Sequence, residues 1–263
     1  MKKTYALLNL LVILAVIAWN YIANALGING NTIGSLSSEY NSLFTPAGYA
    51  FSIWGPIFLG LIALGIYMVR AAFSDHLENE FITRLGPWLL LANLANGAWV
   101  YFWLNEQTGI SVMMMLLILI SLIISILVLN MEREEVASGQ AIWVWWPLGI
   151  YSGWIAVATI ANIAATLAKS GWSFLLSETT WAIVMIVVAA VLNIAMILTR
   201  RMRDFALVGI WALLAIWARH RGSIPGIEWT AFSGAMAIAV TIMIHWFTHR
   251  GTCPILRWRR SGT

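Results

Sequence analysis

The side chains with chemistry to offer are indoles, carboxamides and a few phenols. Sixteen tryptophans occur in 263 residues. Five of them, Trp19, Trp54, Trp99, Trp154 and Trp211, fall inside apolar runs rather than beside them. Several have a polar neighbour three or four positions away, the spacing that shares a helical face. Asn96 and Trp99 are three apart, as are Tyr151 and Trp154, and Thr159 and Asn162 follow Trp154 within about two turns. A buried indole N–H wants an acceptor, and a buried carboxamide wants partners. Such faces can line a pocket that is apolar, aromatic and sparsely polar, which suits a flat hydrophobic ligand. The same groups also serve as plain contacts between membrane helices, so composition leaves both readings open.

Other chemistries find no residues to work with. No Ser–His–Asp set, H-E-x-x-H motif or glycine-rich phosphate loop is present, so no catalytic residue is assigned. Of the four histidines, only His245 is near the interior of an apolar run; His76, His220 and His249 lie in loops or at ends. The one cysteine, Cys253, follows the last run, so neither a disulfide nor a cysteine metal site is expected, and no metal ligand is named. No Asp, Glu, Lys or Arg lies well inside an apolar run, which argues against a proton- or sodium-coupled pump. Lysine is confined to Lys2, Lys3 and Lys169, and this excludes a retinal Schiff base. The net charge of +4 carries no nucleic-acid signature.

Those side chains must be held by helices in lipid. Of the residues, 61% are apolar and only 10% charged, against roughly 25% charged in an ordinary soluble domain. A membrane helix needs about 20 apolar residues. The hydropathy pattern predicts an all-α, polytopic membrane protein of about eight spans: 4–26, 47–69, 86–104, 109–130, 141–168, 179–199, 205–218 and 229–248. The seventh is short, and is expected to thin the membrane, to run on to His220 with Arg219 reaching the interface, or to be re-entrant. Pro147 is expected to break or start the embedded part of the fifth. With the N-terminus inside, twelve of the fifteen basic residues fall on the inner side and only Lys169, Arg219 and Arg221 outside. That asymmetry predicts both termini in the cytoplasm. Trp88, Trp143, Trp145, Trp172, Trp181, Trp229 and Trp258 flank spans and fit an aromatic belt. Ala23-Asn-Ala25 after an apolar run also resembles a cleavage site, but Trp19, Asn20 and Asn24 suit a helix that is kept. Residues 27–45 form a loop free of Lys and Arg that could act as a lid.

Three segments together resemble the tryptophan-rich sensory protein family, also called the translocator protein or peripheral benzodiazepine receptor family. They are Phe44-Thr-Pro-Ala-Gly-Tyr-Ala-Phe-Ser-Ile-Trp54-Gly-Pro-Ile-Phe58, Asn93-Leu-Ala-Asn96-Gly-Ala-Trp99-Val-Tyr-Phe102 and Tyr151-Ser-Gly-Trp154-Ile-Ala-Val-Ala-Thr159-Ile-Ala-Asn162. Their order fits a five-helix unit over residues 1–168. Residues 169–263 then add about three helices and a basic cytoplasmic tail. Two spacings depart from the family pattern: the first motif is one residue shorter, and Pro147 stands four residues before Tyr151.

The resemblance implies a bundle with a pocket opening toward the first loop, and ligands such as porphyrins or sterol-like molecules. By position it assigns Trp54 and Trp154 as pocket indoles, with Asn96, Trp99, Tyr151 and Asn162 supporting or lining them. It requires no cofactor, porphyrin being a ligand. The expected function is a membrane receptor or carrier for tetrapyrroles. The alternatives are an enzyme that degrades porphyrin in light, and a non-catalytic scaffold whose helices after residue 169 contact a partner. Expected partners are the hydrophobic ligand, the bilayer and a second copy in a homodimer, and small residues such as Gly209 and Gly234 would allow the later helices close contact with a protein partner. Arg219 and Arg221 are candidates for a porphyrin propionate. From the Met-Lys-Lys start and the lack of an organellar presequence, the expected location is a bacterial inner membrane.

Overall fold

The structure is a computed structural model, and it describes residues 1–40, 42–171 and 176–248. The helices are α1 (Lys2–Leu26), α2 (Ile33–Glu39), α3 (Trp54–Ala72), α4 (Phe81–Leu104), α5 (Thr108–Val128), the single turn α6 (Ser138–Gln140), α7 (Trp146–Lys169), α8 (Glu178–Arg200), α9 (Arg203–His220) and α10 (Pro225–Thr248). A 3-10 segment, Gly48–Ile53, leads into α3. A π-helical turn, Ala141–Trp145, leads into α7.

Among the described residues, six stretches are long and apolar enough to cross a membrane: Lys2–Leu26, Gly48–Ala72, Thr108–Val128, Ser138–Lys169, Glu178–Arg200 and Pro225–Thr248. Many of their apolar side chains point outward, among them Leu59, Met113, Val191, Leu198 and Ile244, each more than half exposed. An apolar surface of that extent needs lipid around it. The chain is therefore a polytopic, all-α membrane protein.

The remaining two expected spans, 86–104 and 205–218, are continuous helices that lie among the six. α4 is less apolar because its small and amide residues make contacts. Asn9 Nδ2 donates to Gly86 O (3.0 Å) and Trp19 Nε1 donates to Gly97 O (3.0 Å), both from α1. A Cβ at Gly86 would lie 2.8 Å from the Tyr5 ring. Helices in lipid gain from such close approach because no hydrophobic effect drives them together. The 18 residues of α9 rise about 27 Å. This helix runs on to His220, and Arg219 turns onto loop carbonyls (below).

Pro147 lies just after the π-helical turn, within a helical run that is continuous over Ser138–Lys169. It neither breaks that run nor begins it. Trp145, expected in the belt, is instead buried at 4% exposure, because it belongs to the π-turn packed under the start of α7. Trp143, two residues earlier, does face out.

Helices α1, α4, α5, α7 and α3 contact one another in that order and close into a ring. α9 packs on α7, and α8 and α10 pack on α9. Glycines make room at these seams. Gly149 receives the Asp204 carboxylate, Gly209 receives the Asn193 carboxamide, and a Cβ at Gly153 would lie 2.7 Å from Phe205 O. Charged contacts gather at two ends. At one, Lys2 pairs with Glu80, and Arg133 Nη2 donates to Thr199 O (3.2 Å). At the other, Lys169 pairs with Glu106. The basic tail (Arg250, Arg257, Arg259, Arg260), with His249, Cys253, Trp172 and Trp258, lies outside the described residues.

Candidate functional site

The loop after α1 becomes a roof. It turns back at Ile28 and Asn31, with Gly27 and Gly30 at φ +70 and +78, a conformation open to glycine. Thr32 and Ser35 then form a capping box that starts α2. Polar contacts fasten this first half to the α4–α5 corner. Asn29 Nδ2 donates to Asn105 Oδ1 (2.9 Å), Asn31 Nδ2 to Leu104 O (3.3 Å) and Tyr40 OH to Glu106 Oε2 (3.0 Å). Lys169 Nζ reaches across to Glu106 Oε2 (3.2 Å) and Tyr40 OH (3.1 Å). Hydrogen bonds from Lys169 and Tyr40 hold the Glu106 carboxyl below its ordinary range. Burial pushes the Tyr40 phenol up.

The second half of the loop is stapled to α9. Ala47 N–H donates to Ala215 O (3.1 Å), Trp211 Nε1 to Ala50 O (3.1 Å) and Arg219 Nη1 to Thr45 O (2.8 Å) and Ser42 O (3.4 Å). His220 Nε2 stands 2.9 Å from Leu43 O. Of the two arginines set against a propionate, Arg219 thus serves the loop backbone, and Arg221 lies over the Trp217 ring (5.3 Å).

Beneath the roof the indoles converge. Trp154 is 2% exposed and Trp99 6%, while Trp54 is half-buried. Trp99 Nε1 donates to Asn162 Oδ1 (2.9 Å), and Asn162 Nδ2 donates to Ser111 Oγ (3.0 Å). Trp99 stacks on Trp103 with ring centres 6.0 Å apart, and Phe51 meets Trp154 edge-on at 6.0 Å. These groups wall a cavity of only about 40 Å3, lined by Trp54, Trp99, Trp103, Trp154, Phe51 and Asn162 among others. Beside it, under α2 and against α1, lies a larger chamber of about 480 Å3, open to the outside beside Tyr21, which is 76% exposed. Ile33, Phe51 and Trp54 line both spaces and so divide them. Asn20, Asn24 and Thr32 supply polar atoms to the larger one.

Four of the six residues singled out from sequence, Trp54, Trp99, Trp154 and Asn162, therefore stand on the cavity wall. The other two sit one layer back. Asn96 Nδ2 donates to Tyr151 OH (3.0 Å), and the Tyr151 ring backs Trp54 at 6.1 Å. Thr159 turns its hydroxyl onto its own helix, at Ile155 O (2.7 Å).

Several wall residues were not picked out by sequence reasoning. Trp103 is one turn beyond Trp99 and Phe51 is three before Trp54, so helical spacing carried a signal for both. Nothing local marks Ile33, and although Trp211 and Arg219 stood out in the sequence, nothing in it marked loop carbonyls as their partners. Among the described residues, no three of His, Cys, Asp or Glu come together where they could hold a metal ion.

Compared with known proteins, residues 6–244 match a family model described as TSPO-like protein. No curated protein and no solved structure matches the chain.

Proposed function

The chain belongs to the TSPO-like protein family, and we propose that it is a membrane receptor or carrier that takes a flat hydrophobic molecule, in first place a tetrapyrrole, into the aromatic site under its first loop. The observation that carries this reading is the Phe51–Trp54 partition between an indole-walled cavity and a chamber of about 480 Å3. Small-molecule sites typically measure about 300–1,000 Å3. The chamber falls in that range and the inner cavity does not. A porphyrin would lie in the chamber with one face on Trp54, and would reach Trp99 and Trp154 only once the Phe51 ring moved. Binding would draw on stacking and apolar enclosure. The amides of Asn20 and Asn24 would set orientation.

The arginine-rich end would face the cytoplasm of a bacterial cell membrane, by the charge asymmetry of the loops. The outer end, with the roof, would then face the opposite side.

The test is a titration of protoporphyrin IX, followed at its strong near-ultraviolet absorption band, into lipid nanodiscs that carry the protein. Empty nanodiscs are the control. A saturable band shift at one ligand per chain supports the proposal. A shift no larger than that of empty nanodiscs overturns it. Illuminating the complex and weighing the pigment separates a binder, which returns it unchanged, from an enzyme that degrades it.

A further inference from the structure

On the other side of the 3-10 segment lies a second and larger space, a groove of about 640 Å3. Ser52 and Ile53 of the 3-10 segment and Pro56 of α3 form one wall. Ile242 and Trp246 of α10 form the other, with α7 and α9 as the floor. Leu207 on the floor is 57% exposed and Trp246 39%, so the groove is open to the outside at these residues. It lies between two stretches apolar enough to cross a membrane, and what it opens onto is hydrocarbon.

Among the described residues, the lining of the groove is apolar along its body and charged at one end. Arg201, Arg203, Glu132 and Asp204 line that end. The Asp204 carboxylate is turned into the gap at Gly149, and Glu132 lines the same end of the groove. Arg203 lies over the Trp246 ring at 5.2 Å.

Arg201 stands where a glycine would be cheaper. It closes α8 in the left-handed conformation, with φ +60, and its N–H donates to Ile197 O (2.9 Å). Helices that end this way usually carry glycine there, because a Cβ strains that backbone. A strained position at the mouth of a groove is a pointer to what the side chain does there.

We propose that this groove is a phospholipid site. One acyl chain lies between α3 and α10, and the phosphodiester sits on Arg201 and Arg203. Basic pockets between membrane helices hold lipid headgroups in this manner, and arginine matches phosphate oxygens in pairs. Glu132 at the same mouth suits an ammonium, so phosphatidylethanolamine fits better than phosphatidylglycerol. The site shares no wall residue with the tetrapyrrole site and stands or falls separately from it.

Native mass spectrometry of the full chain, released from detergent micelles, provides the test. Dioleoyl-phosphatidylethanolamine, dioleoyl-phosphatidylglycerol and dioleoylglycerol are titrated in separate runs. The expected result is one phosphatidylethanolamine per chain, bound at least about tenfold more tightly than dioleoylglycerol, which has the chains but no phosphate. Arg201→Gly keeps the turn, because glycine adopts φ +60 freely. It should melt no lower than the parent chain yet lose most of that tenfold margin. Leu207→Trp fills the floor and should weaken both lipids. Equal binding of phosphatidylethanolamine and dioleoylglycerol overturns the proposal, as does an Arg201→Gly variant with unchanged lipid affinity. Phosphatidylglycerol bound as tightly as phosphatidylethanolamine overturns the role given to Glu132. A dimer whose formation excludes lipid would assign the groove to a second copy of the chain and overturn the proposal.

Discussion

Replacing Phe51 by alanine should weaken the empty protein and strengthen its hold on porphyrin, by the same amount of free energy. Phe51 lines both spaces beneath the loop and its ring meets Trp154 edge-on at 6.0 Å. It is half-buried. Truncating a fully buried phenylalanine costs about 3–5 kcal/mol. The edge contact alone contributes about 0.5–1.5 kcal/mol. For a half-buried ring with one such contact, a loss of about 1–2 kcal/mol follows. A ligand that reaches Trp99 and Trp154 must displace this ring, so in the parent chain the same quantity is subtracted from binding. Removing the ring beforehand returns it, and about 1–2 kcal/mol corresponds to roughly 5- to 30-fold tighter binding. The assay pairs thermal unfolding of Phe51→Ala in nanodiscs with a protoporphyrin IX titration of the same sample. Lower melting together with tighter binding is the expected result. Lower melting with equal or weaker binding would mean that the ring is a wall of the site rather than a plug, and the reasoning would fail.

A double-mutant cycle of Trp99→Phe and Asn162→Ala should show a coupling of about 0.6–1.7 kcal/mol, the range for hydrogen bonds between membrane helices; a coupling near zero would deny that the 2.9 Å contact stabilises the bundle. Gly153→Ala brings a Cβ to 2.7 Å of Phe205 O and should cost about 1–3 kcal/mol by overpacking, read as a lower melting temperature, and it should speed amide exchange over residues 42–50, which α9 holds. The roof contacts are pH-dependent. The Glu106 carboxyl is held below its ordinary value of 4.5, so its contribution is present above that value and is lost as pH falls through the lower, folded one. Tyr40 is raised above 10.0, so its neutral phenol is favoured up to that value and the contribution fades as pH rises beyond it. Amide protection of residues 28–40 should therefore be flat around neutral pH and fall in acid, and Glu106→Gln should abolish the acid limb.

The membrane helices were legible because lipid leaves a chain few options. Every backbone group must be bonded inside a helix, so long apolar runs can be little else. Expected 4–26 became Lys2–Leu26 and expected 109–130 became Thr108–Val128. The site was legible only along single helices. Spacing put Asn96 near Trp99 and Tyr151 near Trp154, but the bonds cross between helices instead, Trp99 to Asn162 and Asn96 to Tyr151. Periodicity says which residues share a face, and not which face meets which. The staples from α9 were invisible for another reason. Trp211 and Arg219 bond to the carbonyls of Ala50, Ser42 and Thr45, and a backbone acceptor leaves no trace in the identity of its residue. Trp145 shows the limit of flank-based placement, since a single π-turn carried it from the expected belt into the core.

Quenching of tryptophan fluorescence by protoporphyrin IX, in the dark and in detergent, tests the central claim most directly. It is run on the parent chain, on a variant carrying Trp54→Phe with Trp154→Phe, and on an unrelated membrane protein of similar hydrophobicity. Saturable quenching at micromolar ligand in the parent chain, with weaker affinity in the double variant, is the predicted result. Quenching of the parent chain no stronger than that of the unrelated protein would contradict the account, and would leave the indoles under the loop as helix contacts.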